Sequence, residues 1–165
     1  MAARNPVDPE LPSDREILVT RVVDAPRELV WEAMTDREQV AHWWGPNGFS
    51  TTIHEMDVRP GGPWRHTLRG PDGVDYPNHS TFLEVKRPEK LVFDHGGARP
   101  GERGVSFRAT WTFEAVGAKT KVSMHAVFRT AADRDDVIER FGAVEGGRQT
   151  LARLGEYAAK RRGAR

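Results

Sequence analysis

The side chains best suited to proton chemistry are Glu55 and Asp57, two residues apart, and six histidines at 42, 54, 66, 79, 95 and 125. Carboxylates at i and i+2 of a strand point to one face. Held together in a cavity, such a pair divides its proton affinities and can do acid/base work; on a solvated face it is ordinary surface charge. The histidines show no H-E-x-x-H or similar ligand spacing, and His54 with His66 lacks a third ligand, so no metal site is read. His66 alternates with Trp64 and Leu68. That puts a lone polar group on an apolar face, where it bonds either a ligand or the backbone.

Four other places invite attention. The run Asp57-Val58-Arg59-Pro60-Gly61-Gly62-Pro63 has the glycines and arginine of a phosphate loop, but neither the lysine nor the following helix; a strand-end turn is the simpler reading. Trp43 and Trp44 close a short helical stretch, as pocket rim or as core. Arg148 lies at the edge of an apolar helical stripe between Val144 and Leu151 and needs a partner, either a carboxylate such as Glu84 or an anionic ligand. Gly146-Gly147 in the same turn costs roughly 1 kcal/mol per glycine relative to alanine. No Ser-His-Asp order, nucleophile elbow or dinucleotide fingerprint can be placed, so catalysis is left open and no cofactor is read.

The elements that must position these residues belong to a chain of 165 residues, 38% hydrophobic and 30% charged, the size of one domain. The absence of cysteine excludes a disulfide scaffold, a zinc-thiolate or iron–sulfur site and a thiol nucleophile. A net charge of +1 argues against a dedicated nucleic-acid binder, and the basic end around Lys160-Arg161-Arg162 suits a helix C-terminus. There is no apolar leader and no membrane-length apolar run, so a cytoplasmic location without membrane insertion is expected.

Residues 1–15 read as a mobile tail, 16–161 as one domain, and 162–165 as a flexible end. A strand over 16–23 precedes two short helices, the first begun at Pro26, the second capped by Thr35 or Asp36 and stopped by Gly45-Pro46. Period-two patterning then runs from Phe49 to Phe128. It is clearest at Val105, Phe107, Ala109, Trp111 and Phe113 and in the partner strand with Val122, Met124, Ala126 and Phe128. Residues 96–104 read as a glycine-rich loop, and 133–161 as one long amphipathic helix. The arrangement is α+β: a curved antiparallel sheet with a long helix across its concave face.

That order resembles the helix-grip fold of the START/Bet v 1-like superfamily. Local motifs resemble its activator of Hsp90 ATPase homologue 1-like (AHSA1-like) branch. They are Val30-Trp31-Glu32-Ala33-Met34-Thr35-Asp36 with Trp43-Trp44, Asp57 to Gly62, Pro71-Asp72-Gly73, Phe82-Leu83-Glu84-Val85, Pro88 to Phe93, and Glu145 to Leu151 with Leu154. The resemblance implies a cavity between sheet and C-terminal helix. Its sheet wall would be Trp64, His66, Phe107, Trp111 and Met124, its helix wall Val144, Gly147, Arg148 and Leu151, and its rim Trp43 or Trp44 and residues 96–104. Some relatives carry tryptophan where Gly147 stands, which implies space beside it here. A binder of a small hydrophobic or amphipathic molecule is the leading expectation. The alternatives are a cyclase- or hydrolase-type enzyme using Glu55, Asp57 or His66, and a stress-response module that interacts with a chaperone. Monomer and homodimer both remain open.

Overall fold

The computed structural model describes residues 8–97 and 104–164. After a first strand, β1 (Glu16–Val23), come helices α1 (Arg27–Thr35) and α2 (Arg37–Trp43). Six strands follow: β2 (Ser50–Met56), β3 (Pro63–Arg69), β4 (Asp75–Lys86), β5 (Lys90–Gly97), β6 (Val105–Val116) and β7 (Lys119–Val127). Two helices, α3 (Ala131–Phe141) and α4 (Ala143–Gly163), complete the chain. The strands form one antiparallel sheet in the order β1-β7-β6-β5-β4-β3-β2. This is the α+β layer expected from the patterning.

The two short helices start and stop where local chemistry demands. Pro26 precedes α1 in an extended conformation, and the Asp36 side chain accepts from the Glu38 amide at 3.0 Å to cap α2. Trp43 is pinned by its indole N–H, which donates to the Ala33 carbonyl at 2.9 Å. The core lies between the concave sheet face and α1, α2 and α4, with Trp31 edge-on to Phe113 at 5.6 Å.

Three readings need correction. The single helix over 133–161 is two helices, because Gly142 adopts a left-handed conformation (φ 58°) that ends α3 and starts α4. A stripe at 3.6-residue spacing runs through Val137, Val144 and Leu151 without revealing that break. Gly96 and Gly97, assigned to a loop, are the last residues of β5; of that loop, 98–103 lie outside the described residues. Residues 8–15 are tied to the body. The Leu18 amide donates to the Glu10 carbonyl at 2.9 Å, Arg134 donates to the Ser13 carbonyl at 2.7 Å, and Leu11 packs on the core.

Candidate functional site

A cavity of about 550 Å³ opens at the end of the sheet where β3 meets β4 and β5 meets β6. Its apolar wall comes from Phe49, Leu68, Tyr76 and Val105, with Pro46 and Phe141 closing it from the helix side. Leu68, Tyr76, Gly97 and Val105 are one row across adjacent strands: Leu68 pairs with Tyr76, Asn78 with Gly97, and Gly97 with Val105. The roof is the α3–α4 junction, where Gly142 and Gly146 leave the space a side chain would occupy. The loop carrying Pro46, Asn47 and Phe49 is clamped to α4 by Arg153. Its Nη1 donates to the carbonyls of Gly45, Pro46 and Phe49 at 2.8, 3.0 and 3.3 Å. Gln149 Oε1 also accepts from the Asn47 amide at 3.0 Å.

The charged residues of the wall, Arg140 and Glu145, are engaged with protein partners: Arg140 with Asp136 at 2.9 Å and Glu145 with Arg148 at 3.0 Å. The polar floor is His95. Its ring stacks on Phe107 at 4.6 Å between centroids, and its Nδ1 lies 3.3 Å from Ser80 Oγ. Burial pushes the His95 imidazole down to about 4. Behind it, His66 is 1% exposed and its ring centroid is 6.5 Å from that of His95. Burial first, then the neighbouring imidazoles of His95 and His54, pushes His66 down to about 3. Trp44 Nε1 donates to His66 Nε2 at 3.1 Å. An indole nitrogen can only donate, so the His66 proton sits on Nδ1.

Of the expected lining, Gly97 from the glycine-rich rim borders this cavity, whereas none of the expected sheet-wall, helix-wall or tryptophan rim residues does. Trp43, Trp64 and Trp111 are buried in an aromatic cluster completed by the half-buried Trp44, whose ring is 4.7 Å from Trp64 and 5.6 Å from Trp111. Those rings fill the volume that the resemblance had left as void. His66 stacks on Trp64 at 4.7 Å, and Phe107 packs behind His95. Leu151 is buried in the core, with Val144 and Met124 packed against it. A Cβ added to Gly147 would stand 2.7 Å from Met124 Cε and 3.2 Å from Val19 Cγ2, so the glycine permits close helix–sheet approach rather than leaving a hole. At Gly146 the nearest atom would be Pro46 Cγ at an ordinary 3.5 Å, and that residue does line the cavity. The space is one residue away from where it was expected.

The remaining candidates are surface groups. Arg148 is exposed and pairs with Glu10 and Glu145 rather than with Glu84, whose partner is Lys90. β2 ends at Met56, so Asp57 lies beyond the strand and the shared strand face expected for Glu55 and Asp57 is not formed. Glu55 pairs with Arg65 at 3.1 Å and Asp57 with Arg59 at 2.7 Å, both away from the cavity. The glycine-rich turn is structural. A Cβ on Gly62 would meet the Asp57 carbonyl oxygen at 2.0 Å, and Gly61 and Gly62 exchange backbone hydrogen bonds with Phe82. An open groove between His54, Arg65, Thr67 and His79 also borders His66. Among the described residues no three His, Cys, Asp or Glu side chains gather as metal ligands. No helix there is long and apolar enough to cross a membrane.

The cavity residues overlooked in the sequence left a faint signal. Leu68 continues the Trp64–His66 alternation, and Leu91, Phe93 and His95 alternate in the same way opposite Trp111, Ala109 and Phe107. Phe49, Tyr76 and Phe141 come from loop or element ends, where periodicity carries no information on which cavity they meet.

A seven-stranded sheet gripping a C-terminal helix over such a cavity defines a helix-grip domain. The family model for activator of Hsp90 ATPase homolog 1-like protein matches residues 24–159, and the chain belongs to that family. Protein Ms6760 from Mycobacterium smegmatis is 23% identical, with a TM-score of 0.78 over 87% of this chain and 90% of that one. A protein from Arthrobacter aurescens is 23% identical, with a TM-score of 0.82 over 89% and 87%. The AHSA1 protein from Silicibacter pomeroyi is 19% identical, with a TM-score of 0.74 over 88% and 99%. At these identities the likeness is one of fold. No curated protein matches the chain.

Proposed function

We propose that this domain binds a small apolar or amphipathic molecule in the cavity beneath the α3–α4 junction. The observation that carries the reading is the cavity itself: about 550 Å³ with a largely apolar wall and a few polar groups at fixed positions. That is the composition with which small-molecule sites combine affinity with orientation. The family is consistent with either ligand binding or chaperone contact. Of the four exposed large apolar residues, Phe141 belongs to the cavity wall, and Val22, Leu83 and Val116 sit on three different strands, the scatter normal for a protein surface, so they favour no docking patch. An acid/base enzyme built on Glu55 and Asp57 has no support from their positions outside the cavity.

The test is binding of Nile red, an uncharged apolar dye. The parent protein is expected to bind it with a blue-shifted emission, and Gly146→Leu to abolish binding. That variant fills the cavity from the helix side and gains about 1 kcal/mol in helix propensity, so it should melt no lower than the parent. Dye binding unaffected by Gly146→Leu would place the site elsewhere. Native mass spectrometry of protein purified from its own host would then identify any co-purifying ligand.

A further inference from the structure

Several polar groups of the cavity wall are already engaged by the protein. Asn78 Nδ2 donates to the Tyr76 carbonyl at 2.9 Å, Gln149 Oε1 holds the Asn47 amide, and Arg140 and Glu145 are in ion pairs. At the floor the situation differs. His95 lines the cavity and commits Nδ1 to Ser80, while no bond to Nε2 is present among the described residues. Just behind it, His66 Nδ1 and Trp64 Nε1 are buried without a partner among the described residues. His66 Nδ1 carries its proton because Nε2 accepts from Trp44. A buried donor left unmade costs on the order of 1–3 kcal/mol. His95 Nε2 is therefore the uncommitted polar group at the cavity floor, backed by a layer of buried donors that do not themselves line the cavity.

Resting on the binding function proposed above, we infer that the ligand is an uncharged, hydroxyl-bearing hydrophobic molecule, such as a fatty or terpenoid alcohol, with its hydroxyl on His95. A hydroxyl both donates and accepts, so it fits whichever ring nitrogen of His95 carries the proton once Ser80 has chosen the other. A carboxylate fits poorly. The cationic group lining the wall among the described residues, Arg140, is bonded to Asp136, and a buried charge without a partner is strongly disfavoured. The hydrocarbon body would lie along Phe49, Leu68, Tyr76, Val105 and Phe141.

Displacement of Nile red by octanol, octane and octanoate at neutral pH tests this. Octanol should displace the dye at least about tenfold more tightly than octanoate, the factor that 1.4 kcal/mol represents. His95→Leu should weaken octanol about tenfold relative to octane measured on the same variant, and His95→Gln should recover part of that octanol preference. If Nile red does not bind the parent protein, the cavity reading fails and this inference with it. If the dye binds but octanoate competes as well as octanol, the inference alone is overturned. The same holds if octanol is indifferent to His95→Leu. The octanol–octanoate comparison uses the unmodified protein and so stands even if the variants fold poorly.

Discussion

The buried His66 and the half-buried His95 make the protein's stability depend on pH in a definite direction. An unfolded histidine titrates near 6.5, whereas His66 is held down to about 3 and His95 to about 4. As pH falls below 6.5 the unfolded chain takes up protons that the folded chain refuses. The contribution is therefore complete above 6.5 and is lost progressively toward pH 4 and 3. For His66, almost fully buried, the slope is about 1.4 kcal/mol per pH unit, or about 2 kcal/mol lost between pH 7 and pH 5. Urea unfolding across that window, above the range where most carboxylates titrate, should show stability falling; a flat profile would contradict the burial of these rings. Adjacent glycines differ just as sharply. Gly147→Trp must drive a ring into Met124 and Val19, and overpacking of this kind costs about 1–3 kcal/mol or more. Its melting temperature should fall well below that of the parent, while Gly146→Leu should not lower it.

Between elements, the arginine on α4 that grips the preceding loop matters most for the cavity. Removing it in Arg153→Ala strands the carbonyls of Gly45, Pro46 and Phe49 and frees the wall segment they belong to. Loss of a charged hydrogen-bond donor of this sort costs about 1.5–3 kcal/mol. Denaturant midpoints should drop accordingly, and Nile red affinity should drop with them because Phe49 loses its fixed position. The elements themselves were legible in the sequence. Alternation at 105–113 and 122–128, the Asp36 cap and the Gly45-Pro46 stop all reflect local preferences that tertiary structure did not override. The cavity was not legible. Its wall is a row of strand-end residues whose neighbours are set by register, and its roof depends on a left-handed Gly142 that apolar spacing conceals. The resemblance supplied a void in general terms, but four tryptophans occupy the centre of the interior and displace it to one end.

For the molecule as a whole, β1 is an outer strand of the sheet whose neighbour among the described residues is β7, with Glu16 paired to Val127. The hairpins from β2 to β7 join strands close in the chain, whereas this last pairing joins strands about a hundred residues apart. Contacts so distant in sequence form late, because the entropy of closing the loop must be met before they yield anything. Val19→Ala in β1 should therefore speed unfolding and leave the folding rate nearly unchanged, while Phe93→Leu in β5 should slow folding; stopped-flow chevrons separate the two. The order of synthesis makes this pairing costly in a second way. The ribosome delivers β1 first and its partner almost last, so Ile17 and Val19 leave the exit tunnel with no strand to join until β7 follows. The first strand made is thus the one that waits longest for its partner.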